Sequence, residues 1–170
     1  MDYKINDVIL YGADGICKIG EITEREIDSS VYKYCILHPV FDKKSTIFVP
    51  LANKSLVGKM RDLPTEPEVD AALEAVLSKT ETWISSDSKR KETLKEVIEF
   101  GTVYQLLAAL KLLYIHRDFQ NESGKKLHVA DEHIMKDIEK VLLDILSYIK
   151  DMERASAKDF LKEHLVYLIV

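Results

Sequence analysis

The hydrophobic period of this chain changes once, near Pro64, and that change constrains the fold more than any composition figure does. From Asp7 to about Val49 the apolar residues fall in short runs: Val8-Ile9-Leu10-Tyr11, Ile16 to Ile27, Val31 to Leu37 and Thr46-Ile47-Phe48-Val49. These runs are rich in β-branched and aromatic side chains, which fit a pleated surface. Gly12-Ala13-Asp14-Gly15, Asp28-Ser29-Ser30 and Asp42-Lys43-Lys44 separate them and supply the residues that antiparallel turns need. Four or five strands in so short a stretch predict a small β barrel over residues 1–62. A sheet of that size must curl closed or leave edges that invite a partner strand.

After Pro64 the apolar spacing becomes helical. Thr65-Glu66-Pro67-Glu68 combines a capping Thr, a Glu three residues on and a Pro in the first turn, and Val69, Leu73, Val76 and Leu77 line one face behind it. A second helix is expected after Asp87, with Leu94, Val97 and Ile98 inward and Gly101 as its stop. Thr102 can cap a third, and Gln120 to Lys126 reads as a loop. A long helix is expected from about Val129 to Met152, and Ser156 to Asp159 reads as a cap before a last helix bearing Phe160, Leu161, Leu165 and Leu168. The predicted class is α+β, a Tudor- or SH3-like barrel followed by a compact five-helix domain over 63–170.

Composition narrows the function. The 170 residues are 46% apolar and 31% charged, the make-up of a folded globular chain of one full domain or two small ones. Residues 1–60 carry eight acidic and eight basic side chains, so the net charge of −5 falls on residues 61–170. A general nucleic-acid coat is thereby excluded, and any anion contact must come from local clustering. Cys17 and Cys35 lie in apolar runs without C-x-x-C spacing and are expected as reduced core thiols. The first residues are charged where a signal peptide is apolar, and the richest apolar stretch, Leu106 to Tyr114, is broken by Lys111. The chain is expected in the cytoplasm, without a membrane partner.

Enzyme signatures are absent. There is no phosphate-binding glycine loop, G-x-G-x-x-G, G-x-S-x-G or H-E-x-x-H, and the five histidines are scattered. Asp131, Glu132 and Asp137 sit near the start of the long helix, where the macrodipole accounts for acidic residues. No catalytic residue, metal site or cofactor is expected.

Two features stand out in the helical half. Trp83 is the sole Trp and lies in a polar stretch between two helical patterns, either as a staple between helices or as an exposed aromatic wedge. Lys89-Arg90-Lys91 follows, with Lys95 on the same face as Lys91. Such a run is either a solvated helix face or, beside an aromatic wedge, a grip on a phosphate backbone next to a pried base step.

Trp83-Ile84, Arg90-Lys91-Glu92, Leu94-Lys95-Glu96-Val97-Ile98, Gly101, Gly124-Lys125-Lys126-Leu127 and Asp131-Glu132 together resemble the CarD/CdnL family of bacterial transcription regulators. Ile5 to Tyr11, Asp14-Gly15-Ile16, Val49-Pro50 and Leu56-Val57-Gly58 with Arg61 look like the RNA-polymerase-interacting module that this family shares with transcription–repair coupling factors. The resemblance implies a barrel that docks on the polymerase β subunit and a helical domain that meets promoter DNA at the upstream edge of the bubble. It implies polymerase contacts at Arg25, Phe48, Val49 and Pro50. It also implies that Trp83 is the wedge, with Lys89, Arg90, Lys91, Lys95, Lys125 and Lys126 as DNA contacts of weak, largely sequence-independent character. The chain departs from the pattern at Asn6, Gly12 and Phe48, and at His128, where the family has a Ser or Thr cap. A different reading of the same features is an adaptor whose barrel edge binds a partner while the helical domain never touches DNA.

Overall fold

A computed structural model of the chain describes residues 3–79 and 81–166. Two compact units divide after Leu63.

The N-terminal unit holds strands β1 (Val8–Tyr11), β2 (Gly15–Ile27), β3 (Ser30–Pro39), β4 (Ile47–Pro50) and β5 (Met60–Asp62), with a short helix α1 (Lys54–Gly58) between the last two. A single antiparallel sheet runs in the order β4-β3-β2-β1-β5. Asp28 and Ser29 connect β2 to β3 as a two-residue loop, with Ile27 paired to Ser30. Both have positive φ, at 48° and 63°, as a turn matching the right-handed strand twist requires, and Asp and Ser tolerate it locally. The β2–β3 register shifts between Ile19 and Glu21, placing a bulge at Gly20. One face alternates into a core of Ile9, Tyr11, Cys17, Ile19, Cys35, Leu37, Val49 and Met60, with Leu56 and Val57 of α1 packed against it. Both cysteines are buried there as thiols, outside any disulfide, and burial raises the Cys35 thiol pKa.

The sheet is open, which corrects the expected barrel. Closure would need a ladder between β4 and β5, but the two strands lie at opposite edges. They have only four and three residues, and the chain between them turns through α1, which touches both. Neither α1 nor β5 is periodic enough to stand out in the sequence. Asn53 caps α1, its side chain accepting hydrogen bonds from the backbone N–H groups of Ser55 and Leu56 at 3.1 Å each.

Among the described residues, the C-terminal unit holds five of the six α-helices: α2 (Glu66–Ser78), α3 (Asp87–Phe100), α4 (Val103–Glu122), α5 (Val129–Ile149) and α6 (Arg154–Val166). Capping boxes start α2 at Thr65–Glu68 and α4 at Thr102–Gln105. Gly101 follows α3 as expected, in extended rather than left-handed backbone. Helix α4 is the central element. Leu106, Leu107, Ala108, Ala109 and Leu110 are buried in succession, so no side of this segment faces water, and α4 packs on all four other helices.

Several boundaries differ from expectation. Helix α4 takes the first three residues of the expected loop and ends at Glu122, after which Gly124 at φ 70° turns the chain and the loop follows. Helix α5 ends at Ile149, before the positive φ of Asp151, and α6 begins at Arg154 rather than after Ser156. Leu165 is buried in α6 as expected, whereas Leu168 falls outside the described residues. No helix among the described residues is long and apolar enough to cross a membrane.

Candidate functional site

The candidate site lies in the C-terminal unit, where the start of α3, the second half of α4 and the start of α5 meet around Trp83. Arg90 occupies the position four residues before Leu94 and eight before Ile98, in the buried stripe of α3. A guanidinium cannot enter such a stripe without partners, because an unpaired buried charge is costly. The partner is Asp131 on α5, only 2% exposed. Arg90 Nε donates to its Oδ1 at 2.9 Å and Nη2 to its Oδ2 at 2.7 Å. The remaining donors reach the Ile84 carbonyl and Asp87 Oδ1, both at 2.8 Å.

This ion pair holds the aromatic. The Arg90 guanidinium carbon lies 4.5 Å from the centroid of the Trp83 ring, over its face. His116 of α4 stacks on the same ring at 3.6 Å between centroids and 14° between planes. Gln120, one turn further on, contacts the His116 imidazole at 3.3 Å. Burial first, and the Arg90 charge second, hold the His116 pKa below its usual value, against an opposing pull from Asp131. The outcome is a half-buried indole clamped between helices with part of its surface open to solvent. It is neither a fully exposed wedge nor a core residue.

Around this cluster lies an open pocket of about 250 Å³, reached also by Ser85, Asp87, Lys126 and His128. His128 is the N-cap of α5 and makes no side-chain cap bond, as its substitution for Ser or Thr implies.

The expected DNA contacts divide. Arg90 leaves the phosphate-contacting group, because its donors are committed to Asp131, Asp87 and Ile84. Since Arg90 points inward, Lys89 and Lys91 stand about 100° to either side of it, on opposite flanks of α3, so the run is not one positive face. Lys91 and Lys95 share a flank and are exposed, as are Lys125 and Lys126 in the turn before α5. Only Lys126 of these borders the pocket. Asp87, His116, Gln120 and Asp131 were not among the expected site residues. The readable signal for one of them was an Arg in line with Leu94 and Ile98, which demands a buried acid.

The N-terminal unit carries a second candidate surface. Arg25, on β2, lies with its guanidinium carbon 4.9 Å from the Phe48 ring centroid, and both side chains are exposed. Val49 differs from expectation, since it is 0% exposed and belongs to the core, so only its backbone on the edge strand can meet a partner. Pro50 is half-buried. Beyond them the β2–β3 hairpin exposes Ile22, Ile27, Val31 and Tyr32.

The order of strands, the open edge at β4 and the Arg25–Phe48 pair stand beside one decisive comparison. Residues 3–63 match the model of the CarD-like/TRCF RID domain. This part of the chain belongs to that domain family. The match is to a domain of transcription-associated proteins that interact with RNA polymerase. No curated protein is matched by the chain.

Proposed function

We propose that this CarD-like chain is a non-catalytic transcription regulator that docks on the RNA polymerase β subunit through its N-terminal unit. Its helical unit then contacts promoter DNA at the upstream edge of the bubble and stabilises the open complex. The observation that carries the reading is the clamped indole. Trp83 is held by His116 and by Arg90, itself anchored on Asp131, so part of an aromatic surface is fixed in place next to Lys126. An aromatic fixed before binding loses little conformational freedom when it meets an unstacked base step. Docking supplies the rest. A net charge of −5 gives the free protein little affinity for DNA, whereas attachment to polymerase raises the local DNA concentration.

The expected mechanism is differential binding. A wedge that fits the opened strand better than the closed duplex shifts the equilibrium by that difference alone. The test is the lifetime of an open promoter complex of the cognate polymerase holoenzyme under competitor challenge. The protein is expected to lengthen it and Trp83→Ala to abolish the gain. An unchanged lifetime with polymerase-bound protein rejects the DNA role.

A second reading rests on the exposed apolar hairpin. Ile22, Ile27, Val31 and Tyr32 stand in one hairpin of an open sheet, the make-up of a protein-binding surface. On that reading the chain is an adaptor, and footprinting on a polymerase–promoter complex would show no protection by the helical unit.

A further inference from the structure

Strands β2 and β3 run well past their neighbours. On one side β1 accompanies β2 only to Lys18, and the last backbone bonds run from Asn6 N–H to the Ile19 carbonyl and from Ile19 N–H to the Asp7 carbonyl, both at 2.8 Å. On the other side β4 accompanies β3 only to Tyr34, and the last bond runs from Leu51 N–H to the Lys33 carbonyl at 2.9 Å. What remains is a two-stranded ribbon. Among the described residues, no backbone hydrogen bond reaches the outer edge of β2 from Glu21 to Ile27. A two-stranded ribbon is marginal by itself, and an edge of that length is a template for a third strand.

The side chains set which strand fits. The register pairs Ile22 with Cys35, Glu24 with Lys33 and Glu26 with Val31, so Ile22, Glu24 and Glu26 share one face of the ribbon. All three are exposed, and Glu24 meets Lys33 Nζ at 3.0 Å. Glu21 to Ile27 carries three glutamates and one cation, Arg25, which reaches away from this edge, across β3 to the Phe48 ring of β4. Strand β4, Ile47–Pro50, has no charged residue. The β2 edge is therefore the acidic one. A second copy of the chain fits it poorly, because two identical antiparallel strands share a two-fold axis that sets one residue against itself. Centred on Glu24, that axis opposes Glu24 to its own copy and Ile22 to Glu26. Centred on Arg25, it opposes Arg25 to its own copy and Glu24 to Glu26.

We propose that the β2 edge from Glu21 to Ile27 docks an extended basic segment of a second protein partner, as an added strand with cations opposite Glu24 and Glu26 and an apolar residue opposite Ile22. Backbone bonds along the edge supply attraction that any strand can use, and the alternating side chains select this one. In either strand direction the three positions alternate, so the segment reads Lys/Arg-x-Lys/Arg-x-apolar or its reverse. Strands β2 and β4 flank β3 on opposite sides, so the two edges can be occupied together. The inference thus goes beyond docking on polymerase and does not depend on it.

The probe is a synthetic peptide, fluorescein-Thr-Lys-Thr-Lys-Thr-Val-Thr-amide, titrated with the full-length chain and read by fluorescence polarisation. Saturable binding with a Kd below about 1 mM is expected, and a version with Glu in place of both Lys should bind at least about tenfold more weakly. Two further peptides, N-methylated at one or the other set of alternate residues, keep the charges. The one blocked on its docking edge should lose binding while the other retains it, a comparison that needs no protein variant. Amides within Glu21–Ile27 should gain protection from hydrogen exchange when the peptide is added. Glu24→Lys combined with Glu26→Lys should weaken binding about tenfold or more, and Phe48→Ala should leave it unchanged. Polymerase co-sedimentation by that charge-reversed chain should be intact. Absence of saturable binding, or binding that both N-methylated peptides retain, overturns the added strand. A wild-type dimer that the peptide dissociates assigns the edge to a second copy, and loss of polymerase co-sedimentation on charge reversal assigns it to polymerase docking; either overturns a second partner.

Discussion

Arg90 and Asp131, separated by 41 positions in sequence, face each other in a two-bond ion pair with side chains only 6% and 3% exposed. Removing either partner strands the other charge in the interior. Arg90→Ala and Asp131→Ala are each expected to lower stability by about 3–5 kcal/mol in chemical denaturation. The double change Arg90→Met with Asp131→Leu should recover most of that loss, because no charge is left behind. Lys91→Ala, on the exposed flank, should stay within about 0.5 kcal/mol of wild type.

The clamped indole sets an intermediate expectation for Trp83→Ala. Stacking on His116 and the overlying guanidinium each contribute on the order of 1 kcal/mol, so a loss of about 1–3 kcal/mol is expected. A core Trp would lose about 3–5 kcal/mol, and thermal or urea unfolding distinguishes the two. Trp83→Phe should return part of the stability.

His116 gives a pH dependence of definite sign. Burial, then Arg90, hold its pKa below the usual 6.5, so the folded chain disfavours the proton that the unfolded chain accepts. The contribution is fully present above the unfolded value and is lost as pH falls through it toward the folded pKa. The melting temperature of wild type should therefore drop more steeply between about pH 7.5 and about pH 5 than that of His116→Phe, which keeps a flat ring against Trp83. Equal slopes would remove His116 from the account.

On the N-terminal unit, Arg25→Glu replaces a cation over the Phe48 ring with an anion on an exposed strand. Stability should change by less than about 1 kcal/mol. Affinity for polymerase, by co-sedimentation or surface binding, should fall about tenfold or more if this face docks. Phe48→Ala should weaken binding in the same direction. Unaltered affinity in both would take β4 and its neighbour out of the interface.

How much of this was legible depended on how local the cause is. The Thr65–Glu68 box, the Thr102 cap and the Asp28-Ser29 turn are written in four or fewer consecutive residues, and the structure has them where the sequence put them. The barrel failed because closure depends on how β4 and β5 pair, and a helix too short to leave a period stands between them. Lys89, Arg90 and Lys91 form one cluster along the chain but not around the helix, where Arg90 turns inward between them. For Asp131 the macrodipole of α5 is a sufficient local reason, and it conceals a tertiary one, the buried pair with Arg90. His116 gave no signal at all, since a stack on a residue 33 positions away has no sequence period.

The buried thiols of Cys17 and Cys35 and the solitary indole of Trp83 fall in different units. Each unit thus carries its own intrinsic reporter: alkylation of the thiols proceeds only when the sheet opens, and the emission of the indole changes only when the helices loosen around it. Denaturation followed by both signals on the unlabelled chain measures directly whether the two halves melt as one body or as two. Coincident midpoints would mean that strain applied to one half, as by a docked polymerase, is felt energetically by the other.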